Sequence, residues 1–194
     1  MLFRFVSDQS EGAALAFRRA WNFGYRRIGF VTSERFERNT RGNFRAGFLR
    51  QQSDYVARTA RLEPLVLSQE AASAPLGELR TWLRRARPDA VISSVAGLRG
   101  MLGRLGVVVP RDLAVAGTSV LDGNFAAGIN QRCEEIGAVA VRTLAGLIQQ
   151  GQVGVPASAQ RILVEPTWVD GDSLPPLKAP LASRHGGGKS RALA

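Results

Sequence analysis

The sequence predicts an α/β fold built on a doubly wound parallel sheet, and three observations carry that reading. Short apolar runs alternate with amphipathic stretches through most of the chain. The runs are continuous rather than alternating, as in parallel strands buried on both faces. Glycine or proline punctuates their boundaries.

Taken in order, Phe3 and Phe5-Val6 read as a short strand ending at Ser7-Asp8-Gln9-Ser10. A helix follows, with Ala13, Ala14, Phe17, Ala20 and Trp21 on one stripe and Gly24 as its stop. Ile28-Gly29-Phe30-Val31 is the next strand, and the polar segment from Thr32 to Asn43 leads into a helix carrying Phe44, Phe48 and Leu49. Leu65-Val66-Leu67 is a strand. Pro75 to Arg87 is a helix with Leu76, Leu79, Leu83 and Ala86 inward, stopped by Pro88. Ala90-Val91-Ile92 is a strand, Leu98, Met101, Leu102 and Leu105 form a short helix ended by Gly106, and Leu113 to Gly117 is another strand. Glu134 to Gln150 forms the longest helix, with Glu134 and Glu135 at its positive end. Ile162-Leu163-Val164 is expected to close the sheet, and 174–194, rich in Pro, Ala, Ser, Gly and basic residues, reads as a disordered tail.

A length of 194 residues allows one domain, or one domain with pieces of a second. Such a chain buries roughly 70% of its unfolded surface and needs no disulfide or metal to fold. Its single cysteine, Cys133, excludes an internal disulfide and a multi-cysteine zinc site and fits a reducing compartment. The opening Met1-Leu2-Phe3-Arg4-Phe5-Val6 lacks the features of a signal peptide, and no stretch approaches the roughly 20 apolar residues of a membrane span, so a soluble cytoplasmic protein is expected. The net charge of +10 is nearly all arginine, scattered singly or in pairs such as Arg18-Arg19, Arg26-Arg27 and Arg84-Arg85. Without a lysine-rich arm or an aromatic-interleaved basic stretch, solvated arginine faces explain it better than a nucleic-acid surface.

Four blocks carry a family resemblance. They are Asp8-Gln9-Ser10-Glu11-Gly12 with Gly24-Tyr25-Arg26-Arg27-Ile28-Gly29-Phe30-Val31; Arg38-Asn39-Thr40 to Gly47-Phe48; Arg87-Pro88-Asp89-Ala90-Val91-Ile92 with Leu105-Gly106-Val107-Val108-Val109-Pro110-Arg111-Asp112-Leu113-Ala114-Val115-Ala116-Gly117; and Gly128-Ile129-Asn130-Gln131 with Ile136-Gly137. In this order and spacing, over about residues 3 to 170, they resemble the effector-binding core of the lactose-repressor family.

The resemblance implies a periplasmic-binding-protein-like fold of type I. One complete subdomain would span 10–126 and 160–166, and 1–7 and 127–155 would be remnants of its partner, giving a sensor over 1–173. It also implies a non-enzymatic module that binds a small effector such as a sugar, forms a homodimer, uses no cofactor, and reaches DNA only through an N-terminal head that this sequence lacks.

Ligands of an open parallel sheet bind beyond the carboxyl ends of its strands, which points to the loops Thr32–Arg41, Leu67–Ala74, Ser93-Ser94-Val95 and Thr118–Asp122. The ligand-binding candidates are Asp8, Arg38, Arg41, Phe44, Ser94, Thr118 and Ser119. Asp8 matches the family's aspartate, and Arg38 falls on one of its arginine positions. Phe44 stands three before Gly47, where relatives carry a ligand-gripping arginine. Ser93-Ser94 or Ser94-Val95 replaces an Asn-Asp pair, and Thr118-Ser119 replaces an acidic pair. These departures point to a less polar effector than a standard sugar, or to a degenerate pocket.

Plainer roles stand beside these. Asp8 suits a helix cap and Arg38 and Arg41 suit solvated loop positions, while Phe17, Trp21 and Trp168 suit packing and Cys133 an inert thiol. Enzymatic readings find little support. The only histidine, His185, lies in the tail, and Gly186-Gly187-Gly188-Lys189-Ser190 fails as a phosphate loop because Ser183 stands where its first glycine belongs. A periplasmic-type solute-binding protein and a small α/β enzyme remain the alternatives.

Overall fold

In the computed structural model the described residues are 3–68, 74–121, 125–152, 154 and 158–177. The elements run β1 (Arg4–Ser7), α1 (Gln9–Asn22), β2 (Ile28–Ser33), α2 (Glu34–Thr40), α3 (Asn43–Tyr55), β3 (Leu65–Leu67), α4 (Ala74–Ala86), β4 (Ala90–Ser93), α5 (Leu98–Arg104), β5 (Ala114–Gly117), β6 (Gly128–Asn130), α6 (Cys133–Gln149), β7 (Arg161–Val164) and β8 (Thr167–Val169). Six strands form the main sheet in the order β3-β2-β4-β5-β6-β8, while β1 and β7 form a separate pair. Pairing in the main sheet is parallel except for the last strand, which lies antiparallel to β6. The α/β class read from the sequence is thus the observed one.

The continuous apolar runs have the reason anticipated, since neighbouring residues of one strand serve opposite faces. Phe30, Ile92 and Ala116 join one cluster with Phe17 of α1 and with Phe44 and Phe48 of α3. Val31, Val91 and Val115 join another with Leu79 and Trp82 of α4 and with Leu98 and Leu102 of α5. Full burial of a large apolar side chain contributes about 1.5–3 kcal/mol, so these two layers supply the main driving force. The Phe48 ring ties the first layer together, 5.6 Å from Phe17 and 5.2 Å from Phe30. On the other face, a Cβ at Gly29 would lie 2.5 Å from the Trp82 ring, so the absence of a side chain there lets the indole approach β2 closely.

Many arginines have local work. Arg26 Nη1 donates to Trp21 O at 2.8 Å and its guanidinium stands 4.3 Å over the Trp21 ring. Arg27 donates to Ala86 O and Arg87 O past the end of α4, and Arg61 donates to Ser53 O and Val56 O past the end of α3. Arg27 and Arg61 thus place cations on carbonyls at the ends of their helices, and Arg26 adds a second donor to Trp21 O, which already accepts from Gly24 N at 3.0 Å.

Four expectations need correction. Ile162-Leu163-Val164 does not close the main sheet: β7 pairs with β1, Phe5 opposite Ile162. Its side chains alternate in exposure, with Leu163 46% exposed, which suits a two-stranded pair with an open face rather than a strand buried on both. Conversely, 128–130 sits in the main sheet as β6, and 167–169 forms its antiparallel edge. The polar segment before Asn43 is not all loop, because α2 occupies Glu34–Thr40, capped by Ser33 Oγ accepting from Phe36 N and ended by Arg41 at φ 54°. Finally, 174–177 is not tail. Leu174 is buried, Leu177 N donates to Phe23 O at 2.8 Å, and Tyr25 Oη donates to Pro175 O at 2.7 Å. The rest of the expected tail, 178–194, lies outside the described residues.

Candidate functional site

The carboxyl ends of the parallel strands are laced together by polar groups. Ser94 N donates to Val31 O at 3.2 Å and Ser94 Oγ to Thr32 Oγ1 at 2.8 Å, joining the ends of β4 and β2. Ser93 Oγ accepts from Val95 N, and Ser93 O accepts from Thr118 N at 2.9 Å. Thr118 O in turn accepts from Gln131 Nε2 at 3.0 Å, which carries the seam on to the end of β6. These bonds fix the loop starts on rigid strands.

Beside this seam, past the ends of β2, β3 and β4, lies a cleft of about 450 Å³. Ser33, Arg35, Asn39, Ser68 and Ser94 supply its polar wall, and Phe36, Leu67, Pro75, Val95, Ala96 and Met101 its apolar wall. That volume and mixture suit a small-molecule site. Arg35 and Asn39, four residues apart on α2, share one helix face and meet the cleft together. Glu78 stands behind Ser68, accepting from its backbone N at 3.0 Å and from its hydroxyl.

The seven residues singled out from the sequence divide. Ser94 lines the cleft. Phe44 lies beneath it, buried and 5.4 Å from the Phe36 ring. Thr118 is buried in the seam with its hydroxyl unpartnered among the described residues, and Ser119 follows it half-buried. Asp8 caps α1, its carboxylate accepting from Glu11 N at 3.0 Å. Arg38 is exposed and pairs with Glu34 at 3.7 Å on another face of α2, while Arg41 is exposed in the turn after it. Asp122, from the fourth loop, lies outside the described residues, as do residues 69–73 of the second.

Arg35 and Asn39 are cleft residues that no sequence motif singles out. Recognising α2 as a helix would have found them, since its periodicity separates 35, 36 and 39 from 34 and 38. Away from the cleft, Cys133 is exposed at the start of α6. Among the described residues no cluster of His, Cys, Asp and Glu could hold a metal ion, and no helix is long and apolar enough to cross a membrane.

A two-layered parallel sheet with a cleft beyond its strand ends is the architecture of ligand-binding α/β domains. Consistent with this, the model of the periplasmic binding protein-like domain matches residues 17–174, and the chain belongs to that family. Among solved structures it is similar to a LacI family transcriptional regulator from Enterococcus faecium with bound ribose (19% identity, 89% of this chain and 65% of that one, TM-score 0.64). It is also similar to a LacI-family regulatory protein from Corynebacterium glutamicum (18% identity, 89% and 67%, TM-score 0.63). A third is a sugar-binding LacI family regulator from Escherichia coli complexed with phosphate (17% identity, 88% and 63%, TM-score 0.61). The chain therefore spans about two thirds or less of the length of such neighbours. No curated protein matches the sequence.

Proposed function

We propose that this chain is the effector-sensing part of a LacI-type transcriptional regulator. It binds a small metabolite without transforming it, and in the intact protein that binding is coupled to DNA affinity through a change in subdomain closure. The observation that carries this reading is the cleft beyond β2, β3 and β4, set in a fold shared with transcription regulators. In this reading β1, β7 and α6 belong to a second subdomain, DNA contacts come from a head outside this sequence, and the regulator works as a cytoplasmic homodimer.

Ser94 is the direct contact among the residues chosen from the sequence. Asp8, Thr118 and Ser119 stand at strand ends that closure would bring toward a ligand, Phe44 supports the Phe36 wall, and Arg38 and Arg41 flank the rim.

A thermal-shift screen of the purified chain against sugars, sugar acids, nucleobases, nucleosides and organic acids tests the reading. A true effector at about 100 times its dissociation constant adds ~2.7 kcal/mol. At this chain length that is a rise of roughly 5–10 °C in melting temperature. Cooperative melting with no shift across the panel, or turnover of any compound in it, would count against a sensor.

A further inference from the structure

We infer that the cleft's ligand is a small organic acid, one carboxylate on an apolar body of about aromatic-ring size, rather than a free sugar; the inference rests on the cleft being the effector site. The hydrogen-bonding capacity of the wall favours an acceptor-rich ligand. The hydroxyl protons of Ser68 and Ser94 are already given, to Glu78 and to Thr32 Oγ1. Ser33 Oγ accepts from Phe36 N at 3.3 Å and keeps its own proton to donate. Asn39 adds an amide NH₂ and one carbonyl acceptor, the Ser68 and Ser94 oxygens can still accept, and Arg35 adds a fixed fork of up to five N–H donors on a cation that stays charged at any physiological pH.

Among its described residues the wall thus offers a ligand more donors than acceptors, gathered on the α2 side, and no carboxylate. A sugar carries hydroxyls around its whole ring and needs acceptors in return. A carboxylate only accepts, and it matches a guanidinium fork in shape and charge. Around the donors, Phe36 of the same helix together with Leu67, Pro75, Val95 and Met101 present apolar surface that would desolvate sugar hydroxyls without replacing their hydrogen bonds. The same surface gains from covering a ring or branched chain, and Met101 adds a polarizable sulfur suited to an aromatic face.

Phe44 bears on this independently. Buried with its ring 5.4 Å from Phe36, it backs the apolar wall with hydrocarbon. A polar ligand would leave that wall unused.

The test is isothermal titration of the whole chain with benzoate, phenylacetate and indole-3-acetate, with phenylacetamide as the neutral match and with ribose and cellobiose as sugars. The acids should bind, the amide at least about tenfold more weakly, as expected for loss of a charge-assisted pair. Arg35→Gln should weaken the acids by a similar factor while leaving the melting temperature of the free chain unchanged, because Arg35 is exposed and makes no ion pair among the described residues. Binding of sugars in preference to acids, or acid binding indifferent to Arg35→Gln, overturns this inference and leaves the sensor reading standing. No binding by any of the six compounds overturns it as well. The sensor reading falls only if the wider metabolite screen is also silent.

Discussion

A Cβ at Gly47 would lie 2.0 Å from the carbonyl oxygen of Ser10, a separation at which α1 and α3 can touch only if residue 47 has no side chain. Gly47→Ala must therefore push two helices apart across the Phe17 and Phe48 layer, and overpacking of this kind costs typically about 1–3 kcal/mol. We expect a melting temperature several degrees lower, with an unchanged far-ultraviolet circular dichroism spectrum.

Tyr25 makes a different sort of prediction. Its ring is buried and its hydroxyl donates to Pro175 O, and burial first, then the charge of Asp89, raises its pKa above the ordinary tyrosine value of 10.0. A raised folded pKa means the native state holds the proton longer than the unfolded chain does. The stability it contributes is complete below pH 10 and is lost as pH rises through the folded value. Tyr25→Phe should cost about 1 kcal/mol at neutral pH from the lost hydrogen bond. It should also flatten the alkaline limb of a melting-temperature profile. At the same scale, Asp8 shows why residue roles are hard to read from sequence, because a carboxylate before a helix has one signature whether it caps backbone N–H groups or also meets a ligand.

Among the elements, those legible in the sequence are those whose burial is two-sided or whose periodicity runs several turns. Ile28–Val31, Ala90–Ile92 and Leu113–Gly117 read as strands because helices cover both their faces. The short strand β6, Gly-Ile-Asn, offers one apolar residue and no period, and β8, Thr-Trp-Val, is hardly better. Their place is set by the backbone ladder between residues 128–130 and 167–169, a long-range pairing no local pattern contains. The partner of β7 was misjudged for the same reason. In α2, Phe36 is the one apolar side chain of seven residues, so a helical repeat had nothing to repeat, and with the helix went the cleft-lining positions Arg35 and Asn39.

The face of α6 carries an element-scale prediction. Val141, Leu144 and Ile148 recur at helical spacing yet are 68%, 58% and 66% exposed. A contiguous apolar stripe of this kind behaves as a contact surface or as an aggregation site. Val141→Lys with Leu144→Lys should change stability by no more than roughly 0.5 kcal/mol, as for exposed positions generally. The pair should also lower binding of a hydrophobic dye such as ANS and raise the concentration at which the chain stays dispersed. A large loss of stability would mean that the stripe packs internally in solution.

At the scale of the molecule, the topology points to the cleft more directly than any motif does. A parallel sheet with helices on both faces directs its loops to one end, and the cleft lies beyond β2, β3 and β4, where three of the four expected loops begin. The net charge of +10 was likewise a weak guide to function. Several arginines act locally, Arg26, Arg27 and Arg61 at helix ends and Arg18, Arg45, Arg111 and Arg142 in ion pairs, which are neutral and form no part of the excess.

We propose that the chain senses its effector at this cleft. The most direct measurement compares the effector-induced rise in melting temperature between the chain and Ala96→Trp, a substitution that fills the cleft from an exposed position on its wall. The variant should melt like the parent when free and lose the ligand-induced rise. An equal rise in both proteins would place the effector elsewhere.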